Sequence, residues 1–316
     1  MRRAALLLFS LLMIPAAKAA PVEIEAAGPN DPLRGTLQEA GAQAPMILII
    51  PGSGPTDRDG NNPLGVKAAT YRLLAEGLAA QGVGSVRIDK RGMFASSAAI
   101  PDANAVTIDD YVADSAAWVA AIRQRTGVSC VWLLGHSEGG LVALASAAKV
   151  ADICGLVLVA TAGRPLDQVL KEQLRANPAN APLLVPAERA IDNLKAGKRV
   201  DPVDLPPPLL RLFAPQVQGF LISVFAQDPA TLIAGTGKPV LILQGTHDIQ
   251  VSVTDAERLK AAAPAATLTL LPGVNHVLKA VEGDSRPANL ATYANPDLPL
   301  APGVAEAVAV FVKRAK

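Results

Sequence analysis

A serine flanked by glycines is the residue of this chain whose setting most clearly suggests chemistry. Ser137 lies in the run Gly135-His136-Ser137-Glu138-Gly139, directly after an apolar segment, Cys130 to Leu134, and directly before a helical pattern. A serine at such a strand-to-helix turn has an exposed hydroxyl, and only glycine or another small residue fits two positions to either side. The pattern predicts that Ser137 is a nucleophile that attacks a carbonyl carbon.

The serine hydroxyl needs a general base, because alone it is a weak nucleophile. The chain has three histidines, His136, His247 and His276. His136 is fixed in the turn and is expected to face away from the serine, and His247 is expected to have a supporting role. His276 and Asp248 each lie just beyond a short apolar run, where the catalytic groups of open α/β sheets gather. We therefore predict His276 as the base and Asp248 as the carboxylate that fixes its tautomer.

A second loop is predicted to contribute backbone amides to the same site. The segment Pro51 to Pro55 follows the apolar run Met46 to Ile50, and its small residues let the backbone approach a ligand closely. A tetrahedral intermediate carries an oxygen anion that needs N–H donors. We predict the amides of Ser53 and Glu138 as these donors, with Gly54 as the alternative to Ser53. A plain tight turn is the other interpretation of this loop.

The candidate residues fall between elements that alternate regularly along the chain. Apolar runs rich in Val, Ile and Leu alternate with helical patterns, which is typical of parallel strands joined by crossover helices. The runs are Met46 to Ile50, Gly84 to Ile88, Cys130 to Leu134, Gly155 to Ala160, Val240 to Leu243 and Thr267 to Leu271. An antiparallel hairpin, Val22 to Ala26 and Leu33 to Glu39, precedes them. We predict a mostly parallel eight-stranded sheet flanked by helices.

One segment, residues 161–238, departs from this alternation. It has no strand pattern, many prolines, and amphipathic helical patterns such as Asp167 to Arg175 and Glu188 to Lys195. A structureless loop of this length is abnormal in a compact domain, and a flexible linker would leave much apolar surface in water. We predict a helical cap over 161–238, inserted into a core domain formed by 20–160 and 239–316.

The composition excludes several classes of partner. Lys and Arg number 29 and Asp and Glu number 28, so the net charge of +1 provides no long-range attraction to nucleic acid or an anionic membrane. Aromatic residues make up 3% of the chain, too few for a base-stacking surface. Two cysteines and three histidines at these spacings cannot form a metal site. A small-molecule substrate remains as the expected partner, and the oligomeric state is not predicted.

The N-terminus has the pattern of an export signal. Arg2 and Arg3 precede a short apolar run, and Ala17-Lys18-Ala19 fits a cleavage site, so residues 1–19 are predicted to be a cleaved signal peptide. The alternative is an uncleaved N-terminal anchor, although the apolar run is shorter than the roughly 20 residues that span a bilayer. We expect a periplasmic or secreted protein without a membrane span.

Export would place the two cysteines where a disulfide can persist. Cys130 and Cys154 each begin an apolar run, and the two runs are predicted to be neighbouring parallel strands. The spacing of adjacent strands falls within the range that a disulfide accepts. Because the register is not predicted, a disulfide and two buried free thiols remain equally open.

Taken together, these motifs resemble bacterial carboxylesterases of the α/β-hydrolase superfamily, closest to the EstD-like branch. The resemblance extends from about Val22 to the C-terminus. Its most specific pieces are Pro51 to Asn61 (PGSGPTDRDGN), Asp89 to Gly92 (DKRG), Gly135 to Gly140 (GHSEGG), Asp228-Pro229, Asn275-His276 and Val281 to Asp284 (VEGD). It implies the α/β-hydrolase fold and a serine esterase for short to medium acyl chains, with a helical cap and no cofactor. By resemblance, Ser137, Asp248 and His276 take the triad positions.

Two other functions remain open from the sequence. A peptidase or acyltransferase could use the same triad, and an aminopeptidase would need cap carboxylates such as Glu172 or Glu188 directed at the substrate amine. A protein without catalytic activity could use the cap to hold an apolar ligand, because a fold alone does not guarantee a function.

Overall fold

Within residues 20–315, which the computed structural model describes, the chain forms an eight-stranded sheet flanked by helices. The strands are β1 (Val22–Ala26), β2 (Leu33–Gln38), β3 (Met46–Ile50), β4 (Gly84–Ile88), β5 (Val131–His136), β6 (Ile153–Val159), β7 (Val240–Gly245) and β8 (Thr267–Leu271). Their order across the sheet is β1-β2-β4-β3-β5-β6-β7-β8. The predicted signal peptide, residues 1–19, lies outside the described residues.

The direction of the strands matches the prediction. The pairs β1 with β2 and β2 with β4 are antiparallel, and all pairs from β4 to β8 are parallel. The antiparallel edge is the hairpin expected from the first two strand patterns. The predicted mostly parallel eight-stranded sheet is therefore confirmed.

Helices cover both faces of the sheet. They are α1 (Thr70–Ala80), α2 (Ile108–Thr126), α3 (Glu138–Ala147), α4 (Leu166–Ala176), α5 (Leu184–Lys195), α6 (Pro215–Phe225), α7 (Pro229–Ala234), α8 (Val253–Ala262), α9 (Arg286–Ala291) and α10 (Val304–Arg314). The sheet separates two apolar cores because successive residues of a strand point to opposite faces. In β3, Leu48 and Ile50 belong to the core under α2 and α3, whereas Ile47 and Ile49 belong to the core under α1 and α10. This two-sided burial explains why the parallel strands appear as continuous apolar runs.

The segment between β6 and β7 contains α4 to α7 and no strand. The two helical patterns predicted there lie within α4 and α5. Phe213 and Phe225 are fully buried, and the ring of Phe220 meets the edge of Tyr111 from α2 at a centroid distance of 6.1 Å. The segment thus packs on the rest of the molecule through apolar contacts, which supports the cap assignment, although the division into core and cap stays a prediction.

The two cysteines are joined by a disulfide between the start of β5 and β6. Cys130 precedes β5, Cys154 lies in β6, and their Cα atoms are 5.2 Å apart. No helix within residues 20–315 is long and apolar enough to cross a membrane. In the same part of the chain, no group of three or more His, Cys, Asp or Glu residues is placed to hold a metal ion.

Candidate active site

The turn between β5 and α3 places Ser137 in a strained conformation. Its φ of 55° and ψ of −119° lie in a region that costs a non-glycine residue about 1–3 kcal/mol. The flanking glycines make the turn possible, because a Cβ on Gly135 would lie 2.1 Å from the carbonyl oxygen of Gly139, and one on Gly139 would lie 2.2 Å from that of Ile50. The structure thus has the sharp strand-to-helix turn that the glycine spacing predicts.

His276 and Asp248 form a buried pair beside this turn. Nδ1 of His276 and Oδ2 of Asp248 are 2.8 Å apart, and the two side chains are 6% and 1% exposed. Burial alone would raise the pKa of Asp248, but the attraction of His276 and hydrogen bonds from the amides of Val251 and Gln250 outweigh it, so the pKa is lowered. The carboxylate therefore stays ionised and can hold the proton of His276 on Nδ1, which leaves Nε2 free to act as a base.

Buried polar contacts hold the loop that carries His276. The side-chain amide of Asn275 donates to Asn289 Oδ1 at 3.1 Å and to Thr292 Oγ1 at 2.7 Å. Its oxygen accepts a hydrogen bond from the amide of Lys279 at 3.0 Å. Asn275 is 1% exposed, so a buried amide side chain that makes three hydrogen bonds helps to fix a loop with little regular structure.

His136 links the serine turn to His276 and to the second loop, a role the sequence analysis missed. Its Nε2 is 2.8 Å from the backbone oxygen of His276, and its Nδ1 is 2.9 Å from the hydroxyl of Tyr71. The carbonyl requires a proton on Nε2, so Nδ1 accepts from Tyr71, whose oxygen in turn accepts from the amide of Gly52 at 2.9 Å. Burial, together with repulsion from His276, lowers the pKa of His136 to about 3. The imidazole is therefore neutral and serves as a fixed hydrogen-bonding link.

Ser53 and Glu138 lie close to Ser137. A Cβ on Gly52 would lie 3.2 Å from the Cβ of Ser137, so the loop from β3 runs directly beside the serine turn. Ser53 Oγ donates to Glu138 Oε2 at 2.8 Å, and Glu138 is the first residue of α3. The backbone N–H of Glu138, at the first position of α3, has no acceptor within the helix. The positive end of the helix dipole also favours an anion at this place.

Lys90, which follows β4, is a further site residue that sequence reasoning did not single out. Its ammonium group donates to the carbonyl oxygen of Gly52 at 2.8 Å and lies 3.7 Å from Glu138 Oε1. Burial lowers its pKa, and the nearby Glu138 carboxylate opposes that shift. Lys90 and Glu138 together fix the loop that carries Ser53. The only sequence signal was the position of Lys90 in the DKRG motif at the end of a strand.

Three cavities share Ser53 in their linings. The smallest, of about 140 Å³, is lined by Ser137 and His276 together with several polar side chains. A second, of about 240 Å³, borders Ser137, Glu138 and helices α4 and α6. The third, of about 400 Å³, borders Ser53 and Glu138 and extends under the predicted cap. Its apolar walls are Leu166, Leu170, Leu212, Val217, Phe220 and Leu221.

His247 lies apart from this arrangement. Its Nε2 is 3.3 Å from Asp284 Oδ1, and it lines none of these three cavities. Its backbone amide donates to the carbonyl of Val274 at 3.0 Å, which ties the loop after β7 to the loop that carries His276. The structure thus gives His247 a supporting contact and places it outside the cavities that Ser137 lines.

Comparisons with other proteins agree with this fold. Residues 64–205 match the family model described as serine aminopeptidase, S33. The chain is 27% identical to esterase EstD of Thermotoga maritima over 259 residues, which are 80% of this chain and 59% of the relative. The chain therefore spans less than two thirds of the length of that relative.

Solved structures show the same architecture. A thermophilic esterase from Thermogutta terrifontis, described with malate bound, matches with a TM-score of 0.57 at 20% identity, over 94% of this chain and 99% of that one. The esterase Pf2001 of Pyrococcus furiosus matches with a TM-score of 0.57 at 17% identity, over 93% and 92% of the two chains. The chain therefore has the α/β-hydrolase fold, and its resemblance to EstD-like esterases is confirmed.

Proposed function

We propose that this chain is a serine carboxylesterase that hydrolyses esters of short to medium acyl chains through Ser137, His276 and Asp248. The observation that carries the proposal is the buried His276–Asp248 pair, whose His276 lines one cavity together with Ser137 at the sharp turn between β5 and α3. The sequence similarity to a protein named an esterase points to the same bond type.

The geometry supports a two-step reaction. His276 takes the proton of Ser137 as the serine oxygen attacks the ester carbonyl, and Asp248 stabilises the imidazolium that forms. The amides of Ser53 and Glu138 hold the oxygen anion of the tetrahedral intermediate. His276 then gives its proton to the departing alcohol, and water releases the acid from the acyl-enzyme by the same route.

The cavity under the cap supports the proposed acyl preference. Its volume of about 400 Å³ and its leucine, valine and phenylalanine walls suit an apolar chain of several carbons. The Ser53 and Glu138 side of the nucleophile opens into this cavity, so an acyl chain can extend into it from the carbonyl carbon.

An aminopeptidase is the second candidate, because the matching family model carries that description. It would need a carboxylate free to bind the substrate amine. Glu172 pairs with Arg164, Glu188 pairs with Arg175, and neither carboxylate lines the three cavities. Glu138 does line two of them, but it is occupied by Ser53 and faces Lys90. These contacts favour an ester over a peptide substrate.

Hydrolysis of p-nitrophenyl butyrate tests the proposal. Ser137→Ala is expected to lower kcat by about a million-fold, as loss of the nucleophile does in a comparable triad. Ser97→Ala removes an exposed hydroxyl that lies outside the site and is the matched control, expected to retain wild-type rates.

A fluorophosphonate probe and a set of aminoacyl amide substrates separate the alternatives. An esterase is labelled at Ser137 and cleaves the ester in preference to the amides. An unlabelled wild-type protein would indicate a binding protein, and faster amide cleavage would indicate a peptidase. Equal ester hydrolysis by Ser137→Ala and the wild type would refute the assignment of the nucleophile.

A further inference from the structure

The cavity of about 140 Å³ differs from the two larger ones in its lining. Ser137 and His276 both border it, whereas His276 borders neither of the other two cavities. Its wall also carries the side chains of Asn62, Gln250 and Tyr293. We refer to this cavity as the polar pocket.

The proposed mechanism determines which part of an ester can occupy the polar pocket. The departing alcohol oxygen must receive a proton from Nε2 of His276, so it must lie within hydrogen-bond distance of that ring. The acyl part is bonded to Ser137 after the first step and need not contact His276. The leaving alcohol therefore occupies the polar pocket, and the acyl chain occupies the larger cavities on the Ser53 and Glu138 side.

The polar pocket offers both donors and acceptors to a bound alcohol. Gln250 Nε2 donates to the hydroxyl of Tyr293 at 3.2 Å, which leaves the Tyr293 proton without an acceptor among the described residues. Burial raises the pKa of Tyr293 to about 12, so its hydroxyl stays protonated and can donate. Within the same residues, Gln250 Oε1 and Asn62 Nδ2 also lack a partner, while Asn62 Oδ1 is fixed by the amide of Leu64 at 2.9 Å.

The size of the polar pocket limits the alcohol. A water molecule takes up about 30 Å³ in the liquid, so a cavity of about 140 Å³ admits about five water-sized groups. This is enough for an alcohol of a few carbons and too little for a long aliphatic chain, which would also leave the polar wall without partners.

We propose that the preferred substrates are esters whose alcohol is small and carries at least one further hydroxyl group, recognised by Tyr293 and Gln250. The inference rests on the proposed esterase function and specifies the leaving-group side of the same site. The acyl side includes the leucine, valine and phenylalanine walls of the cavity of about 400 Å³, which make no such demand.

Two esters that differ in one group provide the test: 2-hydroxyethyl butyrate and n-propyl butyrate. They share the acyl chain and nearly the same length, and only the first has a second hydroxyl. One hydrogen bond to an uncharged group corresponds to about a 3- to 10-fold effect, so the wild type is expected to show a kcat/KM higher by that factor for the hydroxyethyl ester. Tyr293→Phe should remove most of this preference by lowering kcat/KM for the hydroxyethyl ester alone.

Tyr111→Phe is the matched control, because it removes a hydroxyl bordering the cavity under the cap. It should change kcat/KM for the two esters by the same factor and so preserve their ratio. Partial misfolding also leaves this ratio unchanged, because it lowers both values equally. A wild-type ratio of the two kcat/KM values near one, or a ratio unchanged by Tyr293→Phe, would overturn the alcohol assignment. Hydrolysis of the butyrate esters would still support the esterase function in that case. If the wild type hydrolyses none of the three esters, including p-nitrophenyl butyrate, both proposals are overturned.

Discussion

At the scale of single residues, the site depends on side chains that are held neutral or charged by their surroundings. His136 is neutral because burial lowers its pKa to about 3, and Asp248 is ionised because His276 and backbone amides outweigh its burial. The first can therefore form a link between Tyr71 and the His276 loop, and the second can orient the base. Neither property follows from residue type alone.

The low pKa of His136 predicts that acid destabilises the fold. An unfolded chain binds a proton on this histidine below pH 6.5, whereas the folded chain does so only near pH 3, so stability falls as the pH falls through that window. The contribution of His136 to the free energy of unfolding should drop by about 2 kcal/mol between pH 7 and pH 5. Urea unfolding at both pH values measures it.

His136→Gln removes this titration. Between pH 7 and pH 5 its free energy of unfolding should therefore fall by about 2 kcal/mol less than that of the wild type. Between pH 7 and pH 8 the histidine is mostly neutral in both states, so the difference in stability between wild type and variant should change there by only about 0.1 kcal/mol. Parallel curves from pH 7 down to pH 5 would show that the pKa of His136 is not lowered in the folded protein.

At the scale of elements, the turn from β5 to α3 depends on close packing between the turn and the loop after β3. The chain turns sharply at Ser137, and the loop after β3 passes close enough that its backbone approaches the first turn of α3. Lys90 at the end of β4 and Glu138 at the start of α3 then fix that loop. Three adjacent strand ends thus position one group of backbone amides.

Gly139→Ala should disrupt this packing. The added Cβ would lie 2.2 Å from the backbone oxygen of Ile50, so either α3 or β3 must move, at a cost of about 3 kcal/mol in the free energy of unfolding. The gain in helix propensity of about 1 kcal/mol is too small to compensate. Thermal unfolding and ester hydrolysis should both be impaired.

Gly235→Ala is the matched control for this substitution. A Cβ there meets nothing closer than 3.7 Å, and the backbone φ of −89° suits alanine. Its stability should stay within about 0.5 kcal/mol of the wild type. Equal melting temperatures for the two alanine variants would contradict the steric account of the turn.

At the scale of the whole molecule, the disulfide and the N-terminal pattern point to the same compartment. A bond between Cys130 and Cys154 persists in an oxidising environment, and the pattern of residues 1–19 is that of an export signal. We propose that the protein is periplasmic or secreted after cleavage behind Ala19. N-terminal sequencing of the protein recovered from a periplasmic fraction should begin at Ala20, and full-length protein confined to the cytoplasm would contradict the proposal.

Loss of the disulfide should weaken the fold. The bond closes a loop between residues 24 positions apart, and the entropy it removes from the unfolded chain corresponds to about 3.5 kcal/mol. The double variant Cys130→Ala and Cys154→Ala should lose that much stability in urea unfolding. A reductant should lower the stability of the wild type and leave the double variant unchanged; a wild type that is insensitive to reductant would argue against the bond.

The strands and the order of the proposed catalytic residues could be predicted from local sequence patterns. Buried parallel strands require uninterrupted apolar runs, and those runs match β3 to β8 to within a few residues because a pattern of this kind is local. Ser137, Asp248 and His276 each follow such a run, so their place at the carboxyl edge of the sheet could be inferred without coordinates. The glycines around Ser137 could likewise be understood from the sequence, because larger side chains at these positions would collide with the neighbouring strand and helix.

Coordinates were needed to show which other side chains meet at that edge. Tyr71, Lys90 and Tyr293 are far from Ser137 in sequence, and apart from the DKRG motif around Lys90 no local pattern distinguishes them from other buried or half-buried residues. Their roles arise from the packing of helices and loops against the sheet, which depends on long-range contacts that a single segment does not encode. The volumes and polarity of the three cavities arise in the same way, because they are the spaces that cap and core leave between them.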